Sequence, residues 1–229
     1  MANQHVENGE IADRPPRRNI LVFDLDGTLV DSAPDIAAAV NAMFAELGLP
    51  EVDLGSIRRM IGDGTPMLLE RALRHVQSAR NAADLMPRFM RHYGENAVRL
   101  STLYPEVAGT LATLRAAGCR LGVCTNKPIG PTRAVLAAFR LDGLVEAVVG
   151  GDSMPQRKPQ PEPLLAVIHA LGGTPETAVL IGDSAVDLAC AAAAGVPAII
   201  IPSGYGMTPP QASITAARFA DLPAVLVRL

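Results

Sequence analysis

The sequence predicts an α/β fold, a doubly wound parallel sheet with a helical subdomain inserted into it. Three observations carry this. Five short apolar runs do not alternate with polar residues, as strands covered on both faces require. Helix-length segments separate most of them. One interval, residues 32–101, shows only helical patterns and is far longer than an ordinary crossover.

The first strand is expected at 20–23. Residues 1–18 before it are polar, contain Pro15 and Pro16 and lack the apolar stretch of a secretory signal, so they are expected to form a flexible tail. The insert carries helical patterns at 36–47, ending at Gly48, at 66–75, with Leu68, Leu69, Ala72 and Leu73, and at 85–93, ending at Gly94. Its expected extent is 33–101, which leaves 19–32 and 102–229 for the sheet domain. There follow a helix at 106–117 between Pro105 and Gly118, a strand at 121–124, a helix at 131–139 opening on proline, and a strand at 145–149. A helix at 163–171 before Gly172-Gly173, a strand at 179–181, a helix at 185–194 before Gly195 and a strand at 198–201 complete the order. Proline at helix starts and glycine just past helix ends is the asymmetry that helix termini favour.

Composition narrows the function. Of 229 residues, 49% are hydrophobic and 19% charged, ample for a buried core. Twenty basic against 23 acidic residues give a net charge of −3 with no long basic run, so a nucleic-acid partner is not expected. No apolar run approaches the ~20 residues of a membrane span. The 3 cysteines, Cys119, Cys124 and Cys190, form no CxxC pair, which suggests a reducing, cytoplasmic setting.

Polar residues cluster after the strands. Asp24-Leu25-Asp26-Gly27-Thr28 follows the first, Thr125-Asn126-Lys127-Pro128 the second, Asp152 through Lys158 the third, and Gly182-Asp183-Ser184 with Asp187 the fourth. Parallel strands bring their carboxyl ends together, where open α/β sheets bind ligands. Asp24, Asp26, Thr125, Lys158, Asp183 and Asp187 are therefore expected to converge. The i, i+2 spacing of Asp24 and Asp26 places both carboxylates on one side of an extended segment; taken alone, the motif could also be a helix-entry turn with a capping role. Several acids in one pocket repel each other, and a hard cation such as Mg²⁺ resolves that repulsion. Lys158 is either an ordinary surface lysine or a further positive charge in the pocket. Thr125 and Asn126 are either turn residues or donors to an anionic oxygen.

These residues resemble the four signatures of the haloacid dehalogenase-like superfamily. Residues 23–32, from Phe23 through Ser32, resemble the first; Cys124-Thr125-Asn126-Lys127-Pro128 the second; Lys158-Pro159 the third; and Gly182-Asp183-Ser184 with Asp187 the fourth. The resemblance implies a Rossmann-like core, and the helical insert is similar to the superfamily's small α-helical cap. Within the superfamily the chain is most similar to phosphoglycolate phosphatases, through Thr125-Asn126-Lys127-Pro128, the run 158–165 and Ile61-Gly62-Asp63-Gly64. It departs from them at Pro105-Glu106, at Ala185-Val186 and across residues 205–211.

The resemblance implies phosphoryl transfer from a small phosphorylated metabolite, with 2-phosphoglycolate the leading substrate. Asp24 is implied as nucleophile and Asp26 as general acid, then base. Mg²⁺ is implied to be held by Asp24, Asp183 and the backbone carbonyl of Asp26. Thr125, with the Asn126 backbone, would grip phosphoryl oxygens, Lys158 would neutralise charge, and Asp187 would orient Lys158 or a metal-bound water. Gly27 and Thr28 are candidate backbone donors at a helix entry. Arg58 and Arg59 in the cap are candidates for an anionic substrate group, or are surface arginines. His75, His92 and His169 have no partner spacing, and Cys124 reads as inert core. A phosphosugar mutase and a phospho-aspartate receiver-like switch remain alternatives; a dehalogenase would carry a non-acid at Asp26.

Overall fold

The computed structural model describes residues 17–202, 205, 209, 212 and 214–229. The expected tail lies outside these residues except for Arg17 and Arg18, and Arg18 is fastened to the body, its Nη1 donating to the carbonyls of Pro175 (3.2 Å) and Ala178 (3.1 Å). Of the run 205–211, only Tyr205 and Pro209 are described.

In chain order the elements are β1 (Ile20–Phe23), β2 (Val30–Asp31), α1 (Ala33–Glu46), α2 (Leu54–Met60), α3 (Thr65–His75), α4 (Ala82–Asn96) and β3 (Thr102–Leu103). Then come α5 (Val107–Ala116), β4 (Arg120–Cys124), α6 (Ile129–Ala138), β5 (Ala147–Val149), α7 (Glu162–Ala170), β6 (Ala178–Gly182), α8 (Ala185–Ala193), β7 (Ala198–Ile200) and α9 (Leu222–Leu226).

Five strands form one parallel sheet in the order β5-β4-β1-β6-β7, the doubly wound α/β fold. β1 sits in the middle because every residue in it is buried and apolar. Its alternate residues serve opposite faces: Leu21 and Phe23 pack with α5 and α9 residues such as Leu111 and Leu222, while Ile20 and Val22 pack with Leu164 and Val167 of α7. Burying each such side chain contributes about 1.5–3 kcal/mol. The chain winds outward from β1 first through β4 and β5, then through β6 and β7, so the topological switch lies at β1 and β6. In register, Phe23 faces Val123 and Ile181, which sets Asp24, Thr125 and Asp183 just beyond the same sheet edge.

Helices α1 to α4 pack around a separate apolar cluster with Phe44, Ile57, Leu69 and Phe89 at its centre. Where the chain enters and leaves this inserted cap, β2 and β3 pair antiparallel, Val30 with Leu103 and Asp31 with Thr102. Asp35, at the start of α1, ties the two crossings together by accepting from Leu100 N (2.8 Å) and from Ser101 N (2.7 Å) and Oγ (2.6 Å).

Some elements differ from expectation. The two-residue ribbon was not foreseen, nor was α2, a single short helix capped by Asp53, whose carboxylate accepts from Ser56 N (2.8 Å) and Oγ (2.7 Å). Gly94 does not end α4. The helix runs on to Asn96 because Leu85, Phe89 and Tyr93, four residues apart, bury one face, which outweighs the ~1 kcal/mol cost of a helical glycine. α6 begins at Ile129, two residues before Pro131, since a proline in the first turn removes only a donor that has no helical partner. β5 begins at Ala147 rather than 145 because Val145 N closes a turn onto Leu141 O (3.1 Å). Among the described residues no helix is long and apolar enough to cross a membrane.

Candidate active site

At the carboxyl edge of the sheet, Asp24, Asp183 and Asp187 each place a carboxylate oxygen within 4.8 Å of the others. Backbone pairing aims them. Asp24 N donates to Ile181 O (2.9 Å), continuing the β1–β6 ladder one residue past the strand. Ser184 caps α8, accepting from Asp187 N (3.3 Å), while Asp187 Oδ2 accepts from Ser184 N (3.2 Å) and Oγ (2.6 Å), a reciprocal capping box. That box turns Asp187 Oδ1 toward Lys158, whose Nζ donates to it at 2.6 Å. A side chain at Gly182 would collide with Asp187, its Cβ falling 2.4 Å from Cγ.

Lys158 Nζ also lies 2.9 Å from Asp24 Oδ1, but off the direction of a hydrogen bond, and that buried oxygen has no hydrogen-bond partner among the described residues. Burial first, then Asp187 and Asp26, push Asp24 up to about 6 against the opposing pull of Lys158. Burial, Asp187 and Asp24 push Asp183 up to about 8. Lys158 is held well above its ordinary value: burial lowers it, but Asp187 and Asp24 together outweigh that.

Carboxylates that repel one another, with a buried oxygen lacking a donor, fit a hard divalent cation. The donor set is all oxygen. Asp183 is held for such a role by Thr28 Oγ1 (3.0 Å to Oδ1) and Tyr205 N (3.2 Å to Oδ2). Gly27, at φ +88°, lies so close that a Cβ there would meet Asp183 Oδ2 at 2.6 Å. Asp187, by contrast, has both oxygens occupied by Ser184 and Lys158.

Asp26 faces a different set. Its Oδ1 accepts from Ser32 Oγ (2.5 Å) and Lys127 Nζ (2.9 Å), and its Oδ2 from Lys127 Nζ (3.1 Å). Thr125 is buried at the end of β4, its N donating to Val149 O (3.0 Å). Asn126 is a brace: its Nδ2 donates to Lys158 O (3.0 Å) and to Gly62 O in the cap (3.0 Å), and its Oδ1 accepts from Lys158 N (3.0 Å).

The expected donors of Gly27 and Thr28 are placed differently. Gly27 N bonds Val30 O (2.9 Å) and Thr28 N bonds Leu25 O (3.3 Å), so both close a turn into β2 and no helix starts there. Arg58 pairs with Asp31 (2.7 Å), clamping the cap to the ribbon, whereas Arg59 is exposed and holds Ser56 Oγ (2.9 Å). Both arginines line a cleft of about 550 Å³ with Asp24, Asp26 and Asp183. Sequence reasoning missed Lys127, Tyr93, Ser32 and Tyr205. Lys127 carried a signal, standing inside a polar run that follows a strand, and Ser32 stood at the end of the first signature. The Cys124 thiol is buried and pushed up by that burial, as inert core requires. His75 and His169 are exposed, and His92 lies 2.9 Å from Glu46.

Comparison with known proteins follows this geometry. The family model described as haloacid dehalogenase-like hydrolase matches residues 21–201. A phosphoglycolate phosphatase of Cereibacter sphaeroides (strain ATCC 17029) is 46% identical over 192 residues, 82% of this chain and 87% of the relative. A plasmid-borne phosphoglycolate phosphatase of Cupriavidus necator is 42% identical over 212 residues, 90% of this chain and 92% of the relative. Among solved structures, a predicted phosphoglycolate phosphatase from Haemophilus somnus 129PT superposes with a TM-score of 0.85 at 32% identity, covering 91% of this chain and 98% of that one.

Proposed function

The chain belongs to the haloacid dehalogenase-like hydrolases and is a phosphoric monoester hydrolase, and from that premise we propose that it hydrolyses 2-phosphoglycolate through an aspartyl-phosphate on Asp24. One observation carries the reading: Asp24 and Asp183 meet at a sheet edge beside Lys158, with Asp26 two residues from Asp24 and the cap reaching Asn126 through Gly62.

In this reading Asp24 attacks phosphorus in line. Asp26 protonates the departing alkoxide and later takes a proton from the water that cleaves the intermediate. Thr125 and the backbone at Asn126 bind phosphoryl oxygens, and Lys158 neutralises charge while Asp187 holds it in place. Asp24, Asp183 and the carbonyl of Asp26 would hold Mg²⁺, which when bound supplies charge neutralisation for the phosphoryl group. The exposed Arg59 suits the carboxylate of the substrate, since the partner of Arg58 is already Asp31. The cap, resting on Asn126 through Gly62, keeps bulk water from the intermediate.

The test is inorganic phosphate release from a panel of phosphate monoesters with Mg²⁺. The highest kcat/KM is expected for 2-phosphoglycolate. Conversion of a phosphosugar to its isomer without phosphate release would favour the mutase instead, and a phosphorylated form stable for minutes would favour a switch.

A further inference from the structure

Lys127 is a buried cation that the steps above do not use. Its side chain is 2% exposed. Its Nζ donates to both oxygens of Asp26 and to the hydroxyl of Tyr93, and it lies 4.8 Å from the centre of the Tyr93 ring. Tyr93 stands on α4 of the cap, its ring stacked on Phe89 at 5.4 Å. Burial pushes the Tyr93 hydroxyl up to about 12, so it stays neutral and accepts from the ammonium. Asp26 is thus held from three separate segments: Ser32 at the entrance to the cap, Lys127 after β4, and Tyr93 acting through Lys127. Lys127 and Ser32 thus direct donors onto both of its oxygens, Lys127 reaching Oδ1 and Oδ2 and Ser32 reaching Oδ1.

A buried ion pair of this kind is no efficient way to stabilise a fold, since apolar side chains of similar volume often do as well. What this pair does hold is the orientation of one carboxylate. We propose that Lys127 is a positioning residue that fixes Asp26 for the hydrolysis of the phosphorylated Asp24, and that Tyr93 makes this positioning depend on the cap being seated. The step is balanced: water oxygen bonds to phosphorus, the bond from phosphorus to Asp24 breaks, Asp24 departs as carboxylate, and one water proton passes to Asp26. This inference rests on the proposed reading of Asp24 as nucleophile and Asp26 as base.

4-Nitrophenyl phosphate isolates the step, because its leaving group departs without a proton and kcat/KM reports only the formation of the phosphorylated enzyme. For Tyr93→Phe and Lys127→Met, kcat is expected to fall about tenfold or more, with KM falling in parallel, kcat/KM kept within about twofold, and a burst of nitrophenolate equal to the enzyme added. A merely structural role would lower kcat/KM and give no burst, and that result overturns the proposal. Asp26→Ala is the reference. If it shows neither a burst nor a lower kcat, the reading of Asp26 itself fails; if it shows both and the other two variants show neither, only the positioning role fails. Should Lys127→Met not fold, Tyr93→Phe, which keeps the ring and its stack, decides alone.

Discussion

Asp187 Oδ1 accepts a hydrogen bond from Lys158 Nζ at 2.6 Å, with the carboxylate side chain 0% and the lysine side chain 2% exposed. Removing one partner of such a pair strands a charge in the interior. Asp187→Ala also removes the capping box of α8, so its stability is expected to fall by about 3–5 kcal/mol. Urea denaturation measures this; a loss below about 1 kcal/mol would mean that Asp24 alone satisfies Lys158.

Asp24→Asn keeps the shape of the site and removes the proposed nucleophile. Phosphate release is expected to vanish and no acid-stable phosphoryl label to appear on the protein. Asp26→Ala is expected to take up label and release it slowly. Quenched-flow labelling with radioactive substrate separates the two; near-normal turnover by Asp24→Asn would assign the nucleophile elsewhere.

Gly27→Ala tests the packing behind Asp183. The new Cβ would lie 2.6 Å from Asp183 Oδ2, on a backbone at φ +88° that L residues rarely adopt. Backbone strain of this kind costs about 1–3 kcal/mol. Displacement of the carboxylate should also raise the Mg²⁺ concentration needed for half-maximal activity by about tenfold or more, since groups that orient metal ligands carry effects of that size. Titration of activity against Mg²⁺ checks it.

Chelation is expected to silence the enzyme, and Mg²⁺ added back to the stripped protein should raise its thermal midpoint, because a ligand held at 100 times its Kd adds about 2.7 kcal/mol to the folded state. Differential scanning calorimetry with and without the ion reads this directly. Full activity in excess chelator would remove the metal from the scheme.

These predictions rest on residues of unequal legibility in the sequence. β1 and the loop holding Asp24 and Asp26 were readable because an unbroken apolar run ends abruptly in paired acids, a local signal. β2 and β3 were not, being two residues each and existing only because they pair across the insert. Gly94 misled because its local cost is smaller than the burial of Phe89 and Tyr93 beside it. The surroundings of Asp26 were hidden for another reason. Lys127 stands 101 positions after it, and Tyr93 lies between them, 34 positions before Lys127, so no periodicity links them and only the fold brings them together.

Glu146 supplies a pH dependence away from the site. Arg120, with Nη2 at 2.8 Å from Oε2, and Arg115 hold its carboxyl below the ordinary value, Arg120 being the stronger influence. A carboxyl depressed in the folded state stabilises the protein above its unfolded value, and that contribution is lost as pH falls through the folded value. The ion pairs lie at the surface and are screened, so the effect at neutral pH is about 0.2–1 kcal/mol. Wild type is therefore expected to exceed Glu146→Gln in stability at pH 7, and the gap should close as pH drops below the ordinary glutamate range. Urea midpoints for both proteins across that range measure the gap. A difference that persisted unchanged at the acid end would show that packing of the Glu146 side chain, not its charge, holds the start of β5 to α5 and β4.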